Sequence, residues 1–331
     1  MRRHQQTRIV ILASLLFALF ASACVTREQV GEEGDGGGGG ATQRLSIATG
    51  GTGGVYLVYG GGLADLITRE MGGFEATAEV TSASVDNMLL IADESSDVAF
   101  TLADTAADAV RGTAAFDEPV AAQALARLYT NYTQVATTAG TGIETIADLE
   151  GKAVSVGSPN SGTEVIALRI LDAAGIDADG GIDRQQLDVE QSVQALRDGT
   201  IDAFFWSGGL PTGAITDLGS TDDVVMLPTD EYTQDLADEY GGFYATTTIP
   251  GGTYPGLDED VATIGVPNYL VVNEAMEEDL AYDLTKLLFD HRDDLIDVHP
   301  EARNLDLETA VEVDPLELHP GAQRYYDEAS G

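Results

Sequence analysis

The stretch that decides the fold covers residues 45–56 and reads Leu45-Ser46-Ile47-Ala48-Thr49-Gly50-Gly51-Thr52-Gly53-Gly54-Val55-Tyr56. Its apolar first part, Leu45–Ala48, predicts a short buried strand. The glycines predict a loop, and the helical periodicity from Val55 to Met71 predicts a helix directly after it. A strand, a glycine-rich loop and a helix in this order indicate the first unit of an α/β protein.

The same alternation continues along the chain. Further strands are predicted at Ala76–Thr81, Val98–Thr101, Ala153–Val156, Ala203–Trp206 and Val224–Leu227. Further helices are predicted at Val85–Asp93, Gly162–Ala174, Gln191–Asp198 and Ala214–Leu218. Two longer β-rich stretches are Leu125–Thr138 and Val261–Val272. This order predicts an α/β fold with mainly parallel sheets flanked by helices.

The length of the folded part favours two lobes, because about 290 residues exceed what one hydrophobic core usually serves. We predict that lobe 1 is formed by residues 43–137 plus 250–331, and lobe 2 by residues 138–249. The chain then crosses between the lobes twice, as in a hinged clamp with a ligand cleft between its jaws.

The N-terminal segment has the layout of a secretory signal. Arginines within the first eight residues precede the apolar run Ile9–Phe20, which leads through small residues to Cys24. The apolar run is shorter than the roughly 20 residues that a membrane-spanning helix needs. We therefore predict that residues 1–23 are a lipoprotein signal peptide.

Cys24, the single cysteine of the chain, is the predicted site of lipidation. The alternative is ordinary signal cleavage, with Cys24 incidental. Residues 24–42 are rich in glycine and glutamate, which predicts a flexible tether. The protein is accordingly expected outside the cytoplasm, anchored to the outer face of the cell membrane by a lipid alone.

Composition restricts the partners. The chain has 56 acidic and 16 basic residues, a formal charge of −40 and a pI of about 4.1, which excludes nucleic acid. The acidic residues are spread over the whole chain, as on the solvated surface of a halophilic protein. In about 1 M salt the Debye length is ~3 Å, so an anionic ligand would be repelled only at short range.

Two loops carry the candidate ligand-binding residues. The second, Gly157–Thr163, repeats the design of the first, because it follows a predicted strand and precedes a predicted helix. Free N–H groups at helix N-termini favour anions, and glycines allow close approach. The candidates for a small organic anion are Gly51, Thr52, Gly53 and Tyr56 in the first loop, and Ser158, Ser161, Gly162 and Thr163 in the second. Helix capping by Ser161 or Thr163 is the alternative role.

Three further candidates lie at other strand ends. Ser84 and Asn87 follow the predicted strand Ala76–Thr81, where Ser84 could instead cap a helix. Trp206, the only tryptophan, ends a predicted strand, and open α/β sheets bind ligands at the carboxyl ends of their strands. Its ring could contact the ligand or pack in the core. Asp104 is a further guess, as a partner for a ligand ammonium group.

Catalysis and metal binding have little support. Hydrolase chemistry would need a nucleophile with a partnered base, and no such pattern stands beside a histidine. His291 and His299 lack the usual spacing of zinc ligands, and His319 is expected to open a terminal helix. We therefore predict a protein that is not an enzyme and has no cofactor or metal.

Taken together, these motifs resemble the TAXI group of extracytoplasmic receptors for tripartite ATP-independent (TRAP) transporters. The resemblance extends from about Arg44 to Gly331. The segments that carry it are Ala48–Tyr56, Asp148–Gly157, Ser161–Thr163, Ile201–Phe205, Gly209–Pro211 and His319–Glu328.

The resemblance implies a two-lobed type II periplasmic-binding-protein fold. It also implies delivery of a small carboxylate, such as glutamate or a related amino or organic acid, to an ion-driven TRAP permease. The positions carried over as ligand contacts are Thr52, Tyr56, Ser161, Thr163 and Trp206. The expected form is a monomer. The rival prediction is a surface receptor domain that senses a ligand for a signalling partner.

Overall fold

The computed structural model describes residues 42–330 of the chain. The strands are β1 (Gln43–Ala48), β2 (Phe74–Glu79), β3 (Val98–Leu102), β4 (Ala122–Thr138), β5 (Ala153–Ser155), β6 (Asp183–Gln185), β7 (Ala203–Gly208), β8 (Val224–Leu227), β9 (Ala245–Ile249) and β10 (Val261–Asn273). The helices are α1 (Val55–Glu70), α2 (Ser84–Ala92), α3 (Ala103–Arg111), α4 (Gly162–Ala173), α5 (Val189–Arg197), α6 (Gly213–Gly219), α7 (Thr233–Tyr240), α8 (Glu278–Asp290), α9 (Arg292–Val298) and α10 (Pro320–Ala329). The predicted signal peptide, Cys24 and nearly all of the predicted tether lie outside the described residues.

All ten strands belong to one sheet. Its order is β2-β1-β3-β10-β4-β7-β5-β6, with β8 beside β4 and β9 beside β10. The strands of the strand–helix units pair in parallel, β1 with β2 and β3, and β5 with β6 and β7. The long strands β4 and β10 run antiparallel to their neighbours. The predicted α/β class is confirmed.

The strands β4 and β10 connect two halves of the sheet. The N-terminal part of β4 pairs with β10, and from Tyr132 onward β4 pairs with β7 instead. In β10 the change of partner strand occurs at Gly265. This residue pairs with Tyr132 of β4 and is the last residue of the segment that pairs with β9. We call β2, β1 and β3 the first half, and β7, β5, β6 and β8 the second half. The exact lobe boundaries, 137/138 and 249/250, stay a prediction.

Helices cover both faces of the sheet, as the alternating pattern predicts. The helices α1, α8, α9 and α10 share one apolar cluster over the first half. On the opposite face, α2 and α3 share a second cluster with α4, where Val85 and Ala106 join Ile166 and Ile170. The helices α5 and α6 cover the other face of the second half. The second cluster therefore continues from one half of the molecule to the other.

Candidate functional site

A narrow cavity lies where the starts of α1, α2, α4 and α5 approach β4 and β7. It has ≈ 550 Å³ of empty space with its mouth included. Gly53 and Asn87 do not line it. The predicted residues that line it are Gly51, Thr52, Tyr56, Ser84, Ser158, Ser161, Gly162, Thr163 and Trp206. The folding of the chain thus brings most of the predicted residues to one place.

The start of α1 forms one wall. The loop before it turns at Gly53, whose φ of 78° lies in the left-handed region that glycine tolerates best. Gly54 precedes the helix, and within residues 42–330 no side chain caps the N–H groups of its first turn. Acidic residues are absent from that turn in the same range. These N–H groups, with the positive end of the helix dipole, can therefore bind an anion.

The start of α4 forms the facing wall and is built differently. The Ser161 hydroxyl accepts a hydrogen bond from the Glu164 N–H at 3.0 Å and so caps the helix. The Thr163 hydroxyl accepts from the Ser207 N–H at 3.1 Å. Capping by Ser161, the alternative role from the sequence, is thus what the structure shows. Each hydroxyl still has its own hydrogen to donate.

Gly162 is a point of close contact between the two halves. A Cβ atom at this position would lie 2.5 Å from Leu102 Cδ1 and 2.7 Å from Ser84 Oγ. The Ser84 hydroxyl accepts from the Leu102 N–H at 3.2 Å, and Ala83, not Ser84, is the N-cap residue of α2. The prediction that Ser84 caps this helix is therefore wrong, because its side chain bonds to the end of β3.

Asn87 supports the site from behind. Its side-chain amide donates to the carbonyls of Thr49 and Phe100, both at 2.7 Å, and its Oδ1 accepts from the Thr81 hydroxyl at 2.6 Å. The residue is fully buried. Asn87 thus holds the ends of β1 and β3 together beneath the cavity.

Trp206 packs across the cavity toward α1. A Cβ atom on Gly54 would lie 3.2 Å from Trp206 Cη2, so the ring faces the start of that helix. The Trp206 indole donates to the Thr212 hydroxyl at 3.0 Å, which fixes its orientation. Because glycine has no Cβ atom, the Trp206 ring can lie this close to the backbone at position 54.

Acidic groups from α5 stand beside the glycine-rich loop. The Thr52 hydroxyl donates to Glu190 Oε2 at 3.1 Å. Asp188 caps α5 by accepting from the Gln191 N–H at 2.8 Å, and it lines the cavity. Lysine, arginine and histidine are absent from the lining formed by residues 42–330. Fixed charge at the cavity is therefore negative, and anion binding would depend on neutral donors.

A chain of neutral hydrogen bonds joins the two halves beside the cavity, and we call it the amide chain. The Tyr56 hydroxyl donates to Asn268 Oδ1, whose amide donates to Asn131 Oδ1 at 2.9 Å. The Asn131 amide donates to the Ser207 carbonyl at 3.2 Å. Burial raises the pKa of Tyr56, which keeps its hydroxyl protonated.

A second polar cluster joins the halves away from the cavity, and we call it the ionic cluster. Arg169 Nη2 lies 2.6 Å from Asp108 Oδ2, and Arg169 Nη1 lies 3.4 Å from Asp104 Oδ2. The Tyr244 hydroxyl donates to Asp104 at 2.8 Å. Asp104 is fully buried and does not line the cavity, so the guess that it binds a ligand ammonium group is wrong.

The histidines that the structure describes have structural partners. His291 Nδ1 lies 3.0 Å from Asp294, whereas His299 accepts from the Glu301 N–H at 3.2 Å. His319 caps α10 by accepting from the Gly321 N–H, which confirms that it opens a terminal helix. Among residues 42–330, no group of three or more His, Cys, Asp or Glu side chains is placed to hold a metal ion.

No helix between residues 42 and 330 combines the length and the apolar character needed to cross a bilayer.

Sequence reasoning missed several residues of the cavity. Tyr129 and Asn131 line it from β4, and Asp188 lines it from the start of α5. Asn268 completes the amide chain from β10. One sequence feature could have identified two of these residues. Asn131 and Asn268 each place a polar amide within an apolar or β-branched stretch that is typical of a strand. A buried amide needs partners, which marks such a position as part of a network.

Comparison with known proteins gives a family. Residues 47–330 match the model of the NMT1-like family. Among solved structures, the chain is similar to the periplasmic aliphatic sulphonate binding protein SsuA from Escherichia coli, with 14% identity, a TM-score of 0.48, and coverage of 86% of this chain and 83% of that one. It is also similar to a putative L-cystine ABC transporter from Listeria monocytogenes, with 12% identity, a TM-score of 0.47, and coverage of 80% and 98%. Both likenesses are too distant to identify a ligand.

Proposed function

The chain belongs to the NMT1-like family, and from that premise we propose that it is an extracytoplasmic solute-binding receptor for a small carboxylate. The observation that carries the proposal is the start of α1. The first-turn residues Val55 and Tyr56 line the cavity, and no side chain within residues 42–330 caps the N–H groups of this turn. A carboxylate bound there would receive charge-assisted hydrogen bonds from the backbone.

The charges at the cavity favour a ligand that also carries an ammonium group. Asp188 is the carboxylate in the lining, and Glu190 lies beside it at the Thr52 hydroxyl. A dicarboxylate would meet these acids without a compensating cation. An amino acid such as glutamate would place its ammonium group near Asp188 and a carboxylate at the start of α1.

We propose that the protein captures the solute for transport into the cell. The TAXI-like motifs support delivery to an ion-driven TRAP permease by a monomeric receptor. The signal-like N-terminus supports a lipid anchor on Cys24, and Cys24→Ser in the full chain would then leave the membrane fraction. A sensing receptor would use the same cavity, and growth on the bound solute with and without this chain distinguishes uptake from sensing.

A ligand screen tests the proposal. The mature protein at high salt is heated with L-glutamate, L-aspartate, succinate, 2-oxoglutarate or glucose. Ligand at about 100 times its dissociation constant adds ~2.7 kcal/mol of stability, which raises the melting temperature by several degrees. We expect stabilisation by an amino acid with a side-chain carboxylate. Stabilisation by glucose alone, or by no compound, contradicts the proposal.

A pair of glycine variants locates the binding. Gly54→Ala places a methyl group against Trp206 and the Gly51 carbonyl, and should weaken L-glutamate binding by about tenfold or more. Gly61→Ala, in the same helix, is the matched control, because no atom of the described chain outside its own helix lies within 4 Å of the new Cβ. Equal affinity of the two variants would place the ligand elsewhere.

A further inference from the structure

Tyr129 combines two features that occur together at no other residue between 42 and 330. Within that range, the hydroxyl is buried and has no hydrogen-bond partner. Tyr129 also lines the cavity. The other side chains with a buried polar atom lacking a partner are outside the lining, and they are Tyr59, Ser96, Thr133, Arg184 and Arg292.

A buried hydroxyl without a partner is costly, because it has left water without replacing the lost hydrogen bond. The neighbouring Tyr56 hydroxyl does not share this problem, since it donates to Asn268. The side-chain N–H groups of Asn268 donate to the Asn131 side chain and to the Tyr129 carbonyl. The amide chain is thus satisfied without the Tyr129 hydroxyl, which is left to bind something else.

The position and the protonation of Tyr129 suit a hydrogen-bond donor. The ring is 2% exposed and stacks on Tyr59, with centroids 6.2 Å apart. Burial, and then the nearby Tyr56, Glu301 and Tyr59, raise the pKa of Tyr129 well above its ordinary value. The hydroxyl therefore keeps its hydrogen at physiological pH and can donate it to an anion.

We infer that the Tyr129 hydroxyl donates a hydrogen bond to an anionic oxygen of the bound solute. The inference rests on the proposed function, because it needs a carboxylate in the cavity. It adds a contact from the strand β4 to those from the two helix starts. A carboxylate would then be held by backbone N–H groups on one side and by a phenol on the other.

The experiment compares Tyr129→Phe with Tyr59→Phe. Both substitutions remove a buried hydroxyl that has no partner within residues 42–330, and both keep the stacked rings. Tyr59 does not line the cavity, so it is the matched control. Affinity is measured by titration calorimetry with L-glutamate, or with whichever carboxylate of the screen stabilises the wild type most. Melting temperatures without solute confirm that both variants fold.

We expect Tyr129→Phe to raise the dissociation constant by about 10- to 100-fold, the range for a lost hydrogen bond to a charged group. Tyr59→Phe should stay within about twofold of the wild type. Equal affinity of Tyr129→Phe and wild type, or an equal loss in both variants, overturns the inference alone. A wild type that binds no carboxylate overturns the proposed function and the inference with it.

Discussion

The ionic cluster and the amide chain join the same two halves of the molecule with opposite chemistry. The ionic cluster places Arg169 between Asp104 and Asp108 and lies outside the cavity lining. The amide chain, which links Tyr56 through Asn268 to the second half, is neutral and lies at the cavity. Charges can be buried only with matched partners, whereas neutral dipoles can orient toward any anion. The molecule thus keeps its paired charges apart from the place where a carboxylate is proposed to bind.

The largest effect should come from breaking the ionic cluster. Arg169→Met leaves the fully buried Asp104 without its cation, and we expect a loss of ~3–5 kcal/mol in the free energy of unfolding. Denaturant unfolding at neutral pH measures this change. Arg197→Met is the matched control, because its ion pair with Asp222 is partly exposed and should be worth less than about 1 kcal/mol. Similar losses of stability in both variants would show that burial of the ionic cluster does not determine its contribution to the free energy of unfolding.

A smaller effect is expected from the amide chain, and a double-mutant cycle measures it. Tyr56→Phe leaves Asn268 Oδ1 without its donor, which should cost ~1–3 kcal/mol of stability. In the Asn268→Leu background the same substitution should cost much less, because no acceptor is left unpaired. If the losses from the two substitutions are additive, Tyr56 and Asn268 are not coupled, and their hydrogen bond does not contribute to stability.

The smallest expected effect is a difference in pH dependence between the two clusters. Burial raises the pKa of Asp104, with Arg169 acting in the opposite direction. A carboxyl group with a raised folded-state pKa gives stability that is complete below its unfolded pKa, near ~3.9, and is lost as the pH rises through the folded value. The wild type should therefore lose stability relative to Asp104→Asn as the pH is raised above about 4.

The amide chain supplies the control for that pH series. Asn268 does not titrate, and burial raises the pKa of Tyr56, so the stability difference between wild type and Asn268→Leu should be constant over the same range. Unfolding in denaturant at each pH gives both differences. A difference between wild type and Asp104→Asn that does not change with pH would contradict the assignment of a raised pKa.

Much of the fold could be predicted because its units have strong local patterns. The helix after Gly54 and the strand Val224–Leu227 were placed within one residue of the structure. The second strand begins at Phe74, two residues before its prediction, because the turn at Gly72 and Gly73 ends earlier than the apolar pattern shows. The strands β6 and β9 were missed, since they are short and largely polar and depend on tertiary pairing.

The candidate site was only partly predictable for a similar reason. In each of the two loops the glycines and the hydroxyl residues are close together in the sequence. The walls of the cavity formed by α1 and α4 could therefore be predicted. The strand residues Asn131 and Asn268 belong to the site only because β4 and β10 pair, which is a contact between distant parts of the chain. The ion pair of Asp104 with Arg169 is equally non-local, so Asp104 could not be told from a ligand-binding acid.

The place of β10 in the sheet has a consequence for how the protein is made. This strand comes from residues 261–273, yet it lies between strands that end at residues 102 and 138. A growing chain therefore cannot join the first half of its sheet to β4 until nearly the whole polypeptide is available. Asn268, which completes the amide chain, arrives with that last central strand. The amide chain beside the cavity is thus completed late in folding, and a chain shortened before residue 261 would lack it.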